Sequence, residues 1–140
     1  MKRLAYTLVE VLIVVIVLGI LAAIVVPQFS NASEESNLSS LKTNLQIIRG
    51  QLQLYKIQHN ETWPSADKFV DQMTKNTKID GSIGLAADGF HLGPYLQTIP
   101  NNPYTGTNTV GKGAVGTSAW YYDETTGEFK ANDSAEHAIY

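Results

Sequence analysis

The sequence predicts an α+β fold in which one long N-terminal helix packs on a small C-terminal antiparallel sheet. Residues 11–26 form an almost unbroken apolar run, and residues 38–55 repeat apolar side chains at helical spacing. Residues 118–132 hold two short aromatic-bearing segments of alternating polarity around a turn. Because the helical patterns come first and the strand pattern last, the elements are segregated as in α+β folds.

Length and composition limit the classes of protein to consider. The 140 residues suffice for one modest domain. The formal net charge is −3 and no basic stripe occurs, which argues against nucleic acid as a partner. There is no cysteine, so disulfides and thiolate metal sites are excluded. A small exported domain without disulfides needs another source of stability, such as a long shared helix, a metal ion or a polymer.

The N-terminal segment has three interpretations. Two basic residues precede the apolar run, which places the N-terminus in the cytoplasm. As a signal peptide, the run would be cut after Ala32 to release a chain that begins at Ser33. As a plain anchor, it is long enough only when counted from Tyr6. Both interpretations leave Glu10 unexplained, because a charge at membrane depth costs about 2.5–3.5 kcal/mol on insertion scales.

The third interpretation rests on the segment LAYTLVEVLIVVIVLGILAAIVVPQF. This segment resembles the N-terminus of the type IV pilin family, including the pseudopilins of type II secretion. In that family a prepilin peptidase cuts a short leader just before an aromatic residue that stands four positions ahead of a glutamate. The resemblance implies cleavage between Ala5 and Tyr6, N-methylation of Tyr6 and an assembly role for Glu10. Gly19 and Pro27 match the family's helix-weakening glycine and kink-forming proline.

The sequence departs from the family at the cleavage point, where the family usually has glycine at the position of Ala5 and phenylalanine at that of Tyr6. Alanine is still small and tyrosine still aromatic, so we expect cleavage to survive. Pairing of Glu10 with the freed α-amine of a neighbouring subunit would then fix the register of packed helices. A slipped subunit would leave both charges unpaired in an apolar bundle. The alternative is that Glu10 only reaches back to the membrane interface.

The sequence is divided into four parts: a leader (1–5), a transmembrane and assembly half of the helix (6–27), an amphipathic half (28–60) and a globular head (61–140). The amphipathic half carries apolar residues spaced 3, 4, 3, 4 and 3 apart, namely Leu38, Leu41, Leu45, Ile48, Leu52 and Tyr55. We expect this stripe to pack on the head's own sheet. Ile47 and Leu54 lie off the stripe and are expected to help contact neighbouring subunits. A coiled coil is the alternative, but fewer than three heptads fit.

Turn signals organise the head. A Trp-Pro pair stops the long helix, and Ser65 is predicted to cap a short second helix that ends near Thr74. The segment GPYLQTIPNNPYTG resembles the Tyr-Leu…Pro-x-Asn-Pro connector of major pseudopilins. At the end of the chain, SAWYYDETTGEFKAN predicts a hairpin with a loop of about five residues.

No pattern indicates an enzyme, since the serines, histidines and acids form no catalytic arrangement. The segment GKGAVG is literally a G-x-G-x-x-G, but no βαβ unit fits around it, and a flexible surface loop is predicted. Calcium is the one candidate cofactor, because major pseudopilins carry it in a C-terminal loop. Asp123, Glu124, Asn132 and Asp133 could supply oxygen ligands. Ordinary turn acids are the alternative, since this C-terminus departs from the family's calcium-loop pattern.

The resemblance implies a non-enzymatic filament subunit. Its partners would be copies of itself, the prepilin peptidase, an assembly ATPase, a platform protein and minor pseudopilins. It would cross the inner membrane once, with the head in the periplasm, and the growing rod would push secretion substrates outward. The alternatives are a pilus subunit, including a DNA-binding competence pilin, and a secreted binding domain. The missing cysteines argue against a typical adhesive pilus subunit, whose C-terminal loop is often closed by a disulfide.

Overall fold

The computed structural model describes residues 7–140, without the side chains of Pro27 and Ser30. The predicted cleavage point between Ala5 and Tyr6 therefore lies outside the described residues. The chain divides into two compact units, one ending at Ser36 and the other running from Asn37 to Tyr140. The second unit thus takes in much of the amphipathic half of the helix together with the head.

Helix α1 spans Leu8–Gln58 and continues through both Gly19 and Pro27. In the first unit, every residue from Leu8 to Val26 is exposed. α1 contains an 18-residue window that is long and apolar enough to cross a membrane. A helix is suited to that environment because its backbone hydrogen bonds are made within the segment itself.

In the second unit, the apolar stripe of α1 forms one side of the hydrophobic core. The five residues from Leu41 to Tyr55 at stripe positions are at most 1% exposed, and Leu38 packs against them. The other side of the core is aromatic. Phe69 lies 4.3 Å from Tyr122, measured between ring centroids, and Trp120 lies 5.6 Å from Phe129. The same cluster contains the sheet residues Trp120, Tyr122 and Phe129, so the prediction that the stripe packs on the head's own sheet is confirmed.

The long helix ends before the Trp-Pro pair, within two residues of the predicted end of its amphipathic half at residue 60. α1 stops at Gln58, and Asn60 and Glu61 adopt left-handed backbone conformations, with φ of 53° and 62°. Two consecutive left-handed residues cannot continue a right-handed helix. The buried ring of His59 caps the helix end, since its Nδ1 lies 2.8 Å from the carbonyl oxygen of Tyr55.

A 3₁₀ turn at Ala66–Lys68 leads into helix α2, Phe69–Thr74. The predicted helix is present, but the predicted cap is wrong, because the Ser65 side chain makes no capping hydrogen bond. The backbone N–H of Ser65 donates instead to Oε1 of Gln72 at 2.7 Å. The Ala66 N–H donates to Oε2 of Glu124 at 2.6 Å, so a side chain from the hairpin loop satisfies one backbone donor at this start.

The strands form two small sheets. β1 (Asn76–Thr77) pairs antiparallel with β2 (Ile83–Gly84). The second sheet has the order β3-β4-β5, comprising Val110–Gly111, Trp120–Asp123 and Glu128–Ala131. The predicted β4–β5 hairpin is confirmed. Because β3 pairs parallel with β4, this sheet is mixed rather than purely antiparallel. β3 also takes in the first glycine of GKGAVG, which the sequence assigned to a loop.

Candidate assembly site at the start of the long helix

Thr7 and Glu10 form a capping box at the start of α1. The Thr7 hydroxyl oxygen accepts a hydrogen bond from the Glu10 backbone N–H at 3.2 Å. Oε2 of Glu10 accepts in return from the Thr7 backbone N–H and from the Thr7 hydroxyl, both at 3.0 Å. The Thr7 carbonyl accepts the first helical bond, from Val11 N–H at 3.3 Å. These bonds satisfy backbone donors that a bare helix start leaves open, and the carboxylate lies at the positive end of the helix dipole.

Glu10 therefore has a local role that the sequence interpretation missed. The signal was present, because TLVE matches the T-x-x-E pattern of a capping box. Both bonds to the carboxylate use Oε2, and within residues 7–140 no hydrogen bond to Oε1 is seen. The arrangement holds the carboxylate at the helix start and leaves one oxygen for a cation from another molecule. The assembly role of Glu10 remains a prediction.

Gly19 and Pro27, the other two predicted assembly residues, lie within the continuous α1. Gly19 is exposed, and a Cβ placed there would meet no atom within 4 Å. The packing of the described chain therefore does not require glycine at this position. A role for both residues in weakening the helix stays a prediction.

The four candidate calcium ligands lie at opposite ends of the β4–β5 hairpin. Asp123 and Glu124 are at its loop end, while Asn132 and Asp133 follow β5 at the other end. Asp123 pairs with Glu128, four residues before Asn132, which is a separation of about 13 Å at 3.3 Å per residue. Calcium–oxygen bonds are about 2.3–2.6 Å long, so the two pairs cannot ligate one ion.

The acids at the loop end are already bound by protein groups. Oδ1 of Asp123 lies 2.9 Å from Nζ of Lys112 and accepts a hydrogen bond from Thr125 N–H at 2.9 Å. The Lys112 bond holds the pKa of Asp123 below its ordinary value. Oε2 of Glu124 accepts from the Ala66 N–H at 2.6 Å. Across residues 7–140 there is no group of three or more acids or histidines that could hold a metal. The four predicted ligands do not fit a calcium site.

Asp133 belongs to a buried network that ties the end of the chain to the connector. Its Oδ1 accepts a hydrogen bond from Nδ2 of Asn102 at 2.7 Å, and its Oδ2 lies 2.5 Å from Nδ1 of His137. The ring of His137 packs on Tyr104, with centroids 3.9 Å apart. Burial raises the pKa of Asp133, but the bonds from His137 and Asn102 outweigh it and bring this pKa below its ordinary value.

Comparison with known proteins gives the family. The family model described as the prokaryotic N-terminal methylation motif matches residues 1–26. Type II secretion system core protein G of Pseudomonas aeruginosa is 34% identical over 100 residues, which cover 71% of this chain and 66% of that protein. The chain belongs to the type IV pilin superfamily. It is most like the major pseudopilins within it.

Other relatives of this pilin-family chain carry the same description. Type II secretion system core protein G of Vibrio cholerae serotype O1 is 29% identical over 104 residues, covering 74% of this chain and 66% of that protein. Type II secretion system core protein G of Klebsiella pneumoniae is 23% identical over 103 residues, which cover 74% of this chain and 70% of that protein. The match thus spans about two thirds of each relative's length. No solved structure is significantly similar to the chain.

Calcium removal is expected to leave the stability of this pilin-family chain unchanged, because Lys112 occupies the cation position beside Asp123. The measurement is the melting temperature of the full chain in detergent, by circular dichroism, in excess EDTA and in millimolar calcium. A site with a Kd a hundredfold below the calcium concentration would add about 2.7 kcal/mol. A rise in melting temperature of several degrees with calcium would therefore contradict the prediction.

The Asp133 network is expected to make the head sensitive to acid. Because the folded-state pKa of Asp133 is lowered, its contribution is present above the unfolded pKa of about 3.9 and is lost as the pH falls through the folded pKa. Asp133→Asn should destabilise the head by roughly 1.5–3 kcal/mol at neutral pH, the usual loss for a charge-assisted bond. Below pH 4 this difference should shrink. Melting temperatures of the wild type and of Asp133→Asn from pH 7 to pH 2 measure this difference. A difference that stays constant over this range would contradict the prediction.

Proposed function

We propose that this chain is the major subunit of a pseudopilus, a pilin-like filament that drives protein secretion. A prepilin peptidase processes it, α1 holds it in the inner membrane, and it then polymerises into a periplasmic rod. The proposal rests on two findings that agree. The methylation motif matches residues 1–26, and the same chain is similar to type II secretion system core protein G over about 100 residues. The proposed role is structural and asks for no catalysis by the chain.

The exposed apolar half of α1 is suited to two environments, the lipid bilayer and the interior of a filament. The residues from Leu8 to Val26 are exposed on every side of the helix, so lipid can cover them before assembly and other copies can cover them afterwards. Because the helix makes its own backbone hydrogen bonds, it needs no backbone partner from lipid or from the other copies. Gly19 and Pro27 provide two places where the helix can stretch or locally unwind during the transfer.

In the proposed filament, Glu10 pairs with the α-amine that cleavage creates on Tyr6 of a neighbouring subunit. The capping box supports this role, since it holds the carboxylate through Oε2 and leaves Oε1 for the amine. An unpaired charge in an apolar bundle costs several kcal/mol, which selects the one register that satisfies both groups. The pair therefore specifies how subunits align.

The orientation and the partners follow from the same proposal. Basic residues before the apolar run keep the N-terminus in the cytoplasm, and the head lies in the periplasm. A platform protein and its ATPase extract subunits from the membrane, and minor pseudopilins assemble in the same filament. The growing rod pushes substrates outward.

The test is intact-mass and N-terminal mass spectrometry of the native chain purified from cell envelopes. We expect a chain that starts at Tyr6 and carries a methyl group on its α-amine. A start at Ser33 would mean a released soluble protein, and an intact Met1 would mean a simple anchor. Either result would reject the proposed function.

A further inference from the structure

A small cavity of about 180 Å³ lies between the end of α1 and the β1–β2 hairpin. Three buried side chains form its floor, those of Tyr55, His59 and Gln72. Ile79 and Asp80, exposed residues of the hairpin turn, stand at its rim. Sites for drug-sized ligands are about 300–1,000 Å³, so this cavity has room for one small organic group.

The Tyr55 hydroxyl opens into this cavity without a protein partner. Tyr55 is 1% exposed, and its hydroxyl makes no hydrogen bond in the part of the chain that the structure describes. Every fully buried side-chain nitrogen or oxygen of that part has a partner, so the hydroxyl must reach the open space. A Cβ built on Gly81, in the turn, would lie 3.2 Å from the hydroxyl oxygen. Burial, with smaller contributions from Tyr95 and Asp80, raises the pKa of Tyr55 to about 12, so the phenol stays neutral and can accept a hydrogen bond.

The other polar groups around the cavity have their donors occupied and an acceptor free. The backbone N–H of Ser65 donates to Oε1 of Gln72, and that of Gly81 donates within the turn. Nε2 of Gln72 donates to the Gly81 carbonyl at 2.8 Å. Asp80 accepts from the N–H and the hydroxyl of Ser82, in both cases through Oδ1. Within residues 7–140 no hydrogen bond to Oδ2 of Asp80 is seen, which leaves this oxygen for another group.

The charge at the cavity is negative. Among the described residues that line it, Asp80 is the one carboxylate, and no lysine or arginine is present. Two lysines lie close by in the chain, but other groups hold them. Nζ of Lys56 lies 3.1 Å from the Glu61 carboxylate, and Nζ of Lys78 lies 4.2 Å from the centre of the Phe90 ring.

We infer that this cavity binds a primary alkylammonium group, of either a small free amine or a lysine side chain on another protein. An ammonium group has three N–H donors and no acceptor, which matches the free oxygens of Tyr55 and Asp80. An anion would meet the Asp80 carboxylate with no cation to offset it. The apolar stem of the amine covers Trp63 and Ile79, of which Ile79 is 55% exposed. The inference does not depend on the proposed function, because every residue of the cavity belongs to one head.

Titration of the full chain in detergent micelles with n-butylammonium tests the inference. The readout is the indole N–H signals in ¹H–¹⁵N spectra, because the sequence has two tryptophans. Trp63 lines the cavity, whereas Trp120 is 0% exposed and its indole N–H donates to the Pro100 carbonyl at 2.9 Å. We expect a saturable shift of the Trp63 signal, with a Kd of about 1–10 mM for so small a ligand, and an unmoved Trp120 signal. Equal shifts from n-butanol, which lacks the charge, or the absence of a saturable shift would overturn the inference and leave the cavity a site for water only.

Two substitutions identify the atoms that bind. Asp80→Asn keeps the oxygen that Ser82 bonds and removes the charge, so the Kd should rise by about tenfold or more. Tyr55→Phe removes only the unpartnered hydroxyl, so the Kd should rise about threefold to tenfold while the melting temperature stays equal or rises. The matched control is Asp88→Asn, at an exposed acid outside the cavity, which should leave the Kd unchanged. An unchanged Kd in Asp80→Asn, or an equal loss of affinity in Asp88→Asn, would overturn the inference.

A short peptide with one lysine, acetyl-Gly-Lys-Gly-amide, distinguishes the two sources of the ammonium group. If the peptide binds at least as tightly as n-butylammonium, the cavity takes a lysine side chain of another protein. If the peptide binds more weakly, the cavity takes a small free amine. The same peptide with norleucine in place of lysine should not bind, and binding equal to that of the lysine peptide would overturn the inference.

Discussion

Replacing Glu10 with glutamine is expected to abolish filament assembly while leaving the start of α1 intact. Glutamine serves in a capping box as glutamate does, so the bond from the Thr7 N–H persists. What disappears is the charge, and the α-amine of a neighbouring Tyr6 is then buried without a counter-ion. Removing one partner of a buried ion pair costs about 3–5 kcal/mol, which lowers the association constant by a hundredfold or more.

The matched control is Thr7→Ala, which keeps the charge and removes the cap. Losing a helix cap costs only about 1 kcal/mol, so Thr7→Ala should reduce the filament yield modestly. The measurement is the fraction of chain in sheared filaments, by immunoblot, with mass spectrometry to verify that both variants are cut before Tyr6. The reverse order, with Glu10→Gln assembling and Thr7→Ala failing, would show that the cap rather than the charge is what assembly needs.

Gly127→Ala is expected to be among the most destabilising single changes in the head. Gly127 has φ of 73°, and a Cβ there would lie 2.3 Å from ring atoms of Trp63. The left-handed backbone costs a non-glycine residue about 1–2 kcal/mol, and overpacking adds about 1–3 kcal/mol. For a head of this size, the melting temperature should fall by roughly 10 °C or more.

Contacts on both sides limit how far Trp63 can move to relieve the clash. The Lys56 ammonium lies 4.8 Å from the centre of the Trp63 ring. The next residue, Pro64, accepts a hydrogen bond from the buried Tyr122 hydroxyl at 2.7 Å. These contacts hold the segment after α1 against the hairpin that contains Gly127.

Gly106→Ala isolates the backbone part of this cost. Gly106 has φ of 68°, but a Cβ there would meet nothing within 4 Å. Gly106→Ala should therefore lower the free energy of unfolding only by the cost of a left-handed alanine. Gly127→Ala should lower it clearly more. Thermal unfolding of both variants, and of Gly127→Ala combined with Trp63→Leu, provides the comparison. Equal losses at Gly106 and Gly127, or no relief from the smaller side chain at position 63, would refute the role of the Trp63 contact.

Much of the fold could be predicted from local periodicity. The stripe from Leu41 to Tyr55 repeats at helical spacing, and a helix with one apolar side must bury it. Trp120 and Tyr122 alternate with the half-buried Tyr121 and Asp123, as in a strand with one buried face. The N-terminal motif, including Glu10, also lies within a few consecutive residues, so a sequence pattern can specify it. Each of these features depends on residues that are close in the chain.

Contacts between distant parts of the chain had to come from the tertiary structure. Strands of two residues, such as Val110–Gly111, are too short to show alternation, so the parallel pairing with β4 has no sequence signal. The candidate calcium ligands look like one cluster in the sequence, yet the length of β5 separates Asp123 from Asn132.

The same holds for the polar partners of the acidic side chains. Lys112 on Asp123 and Asn102 on Asp133 are pairings that only the packing of earlier segments of the head against the hairpin could create. Sequence alone determined which segments form the helix and the hairpin, because those patterns are local. The tertiary structure decided which polar groups meet and which surface is left for a partner, because both depend on distances between residues far apart in the chain.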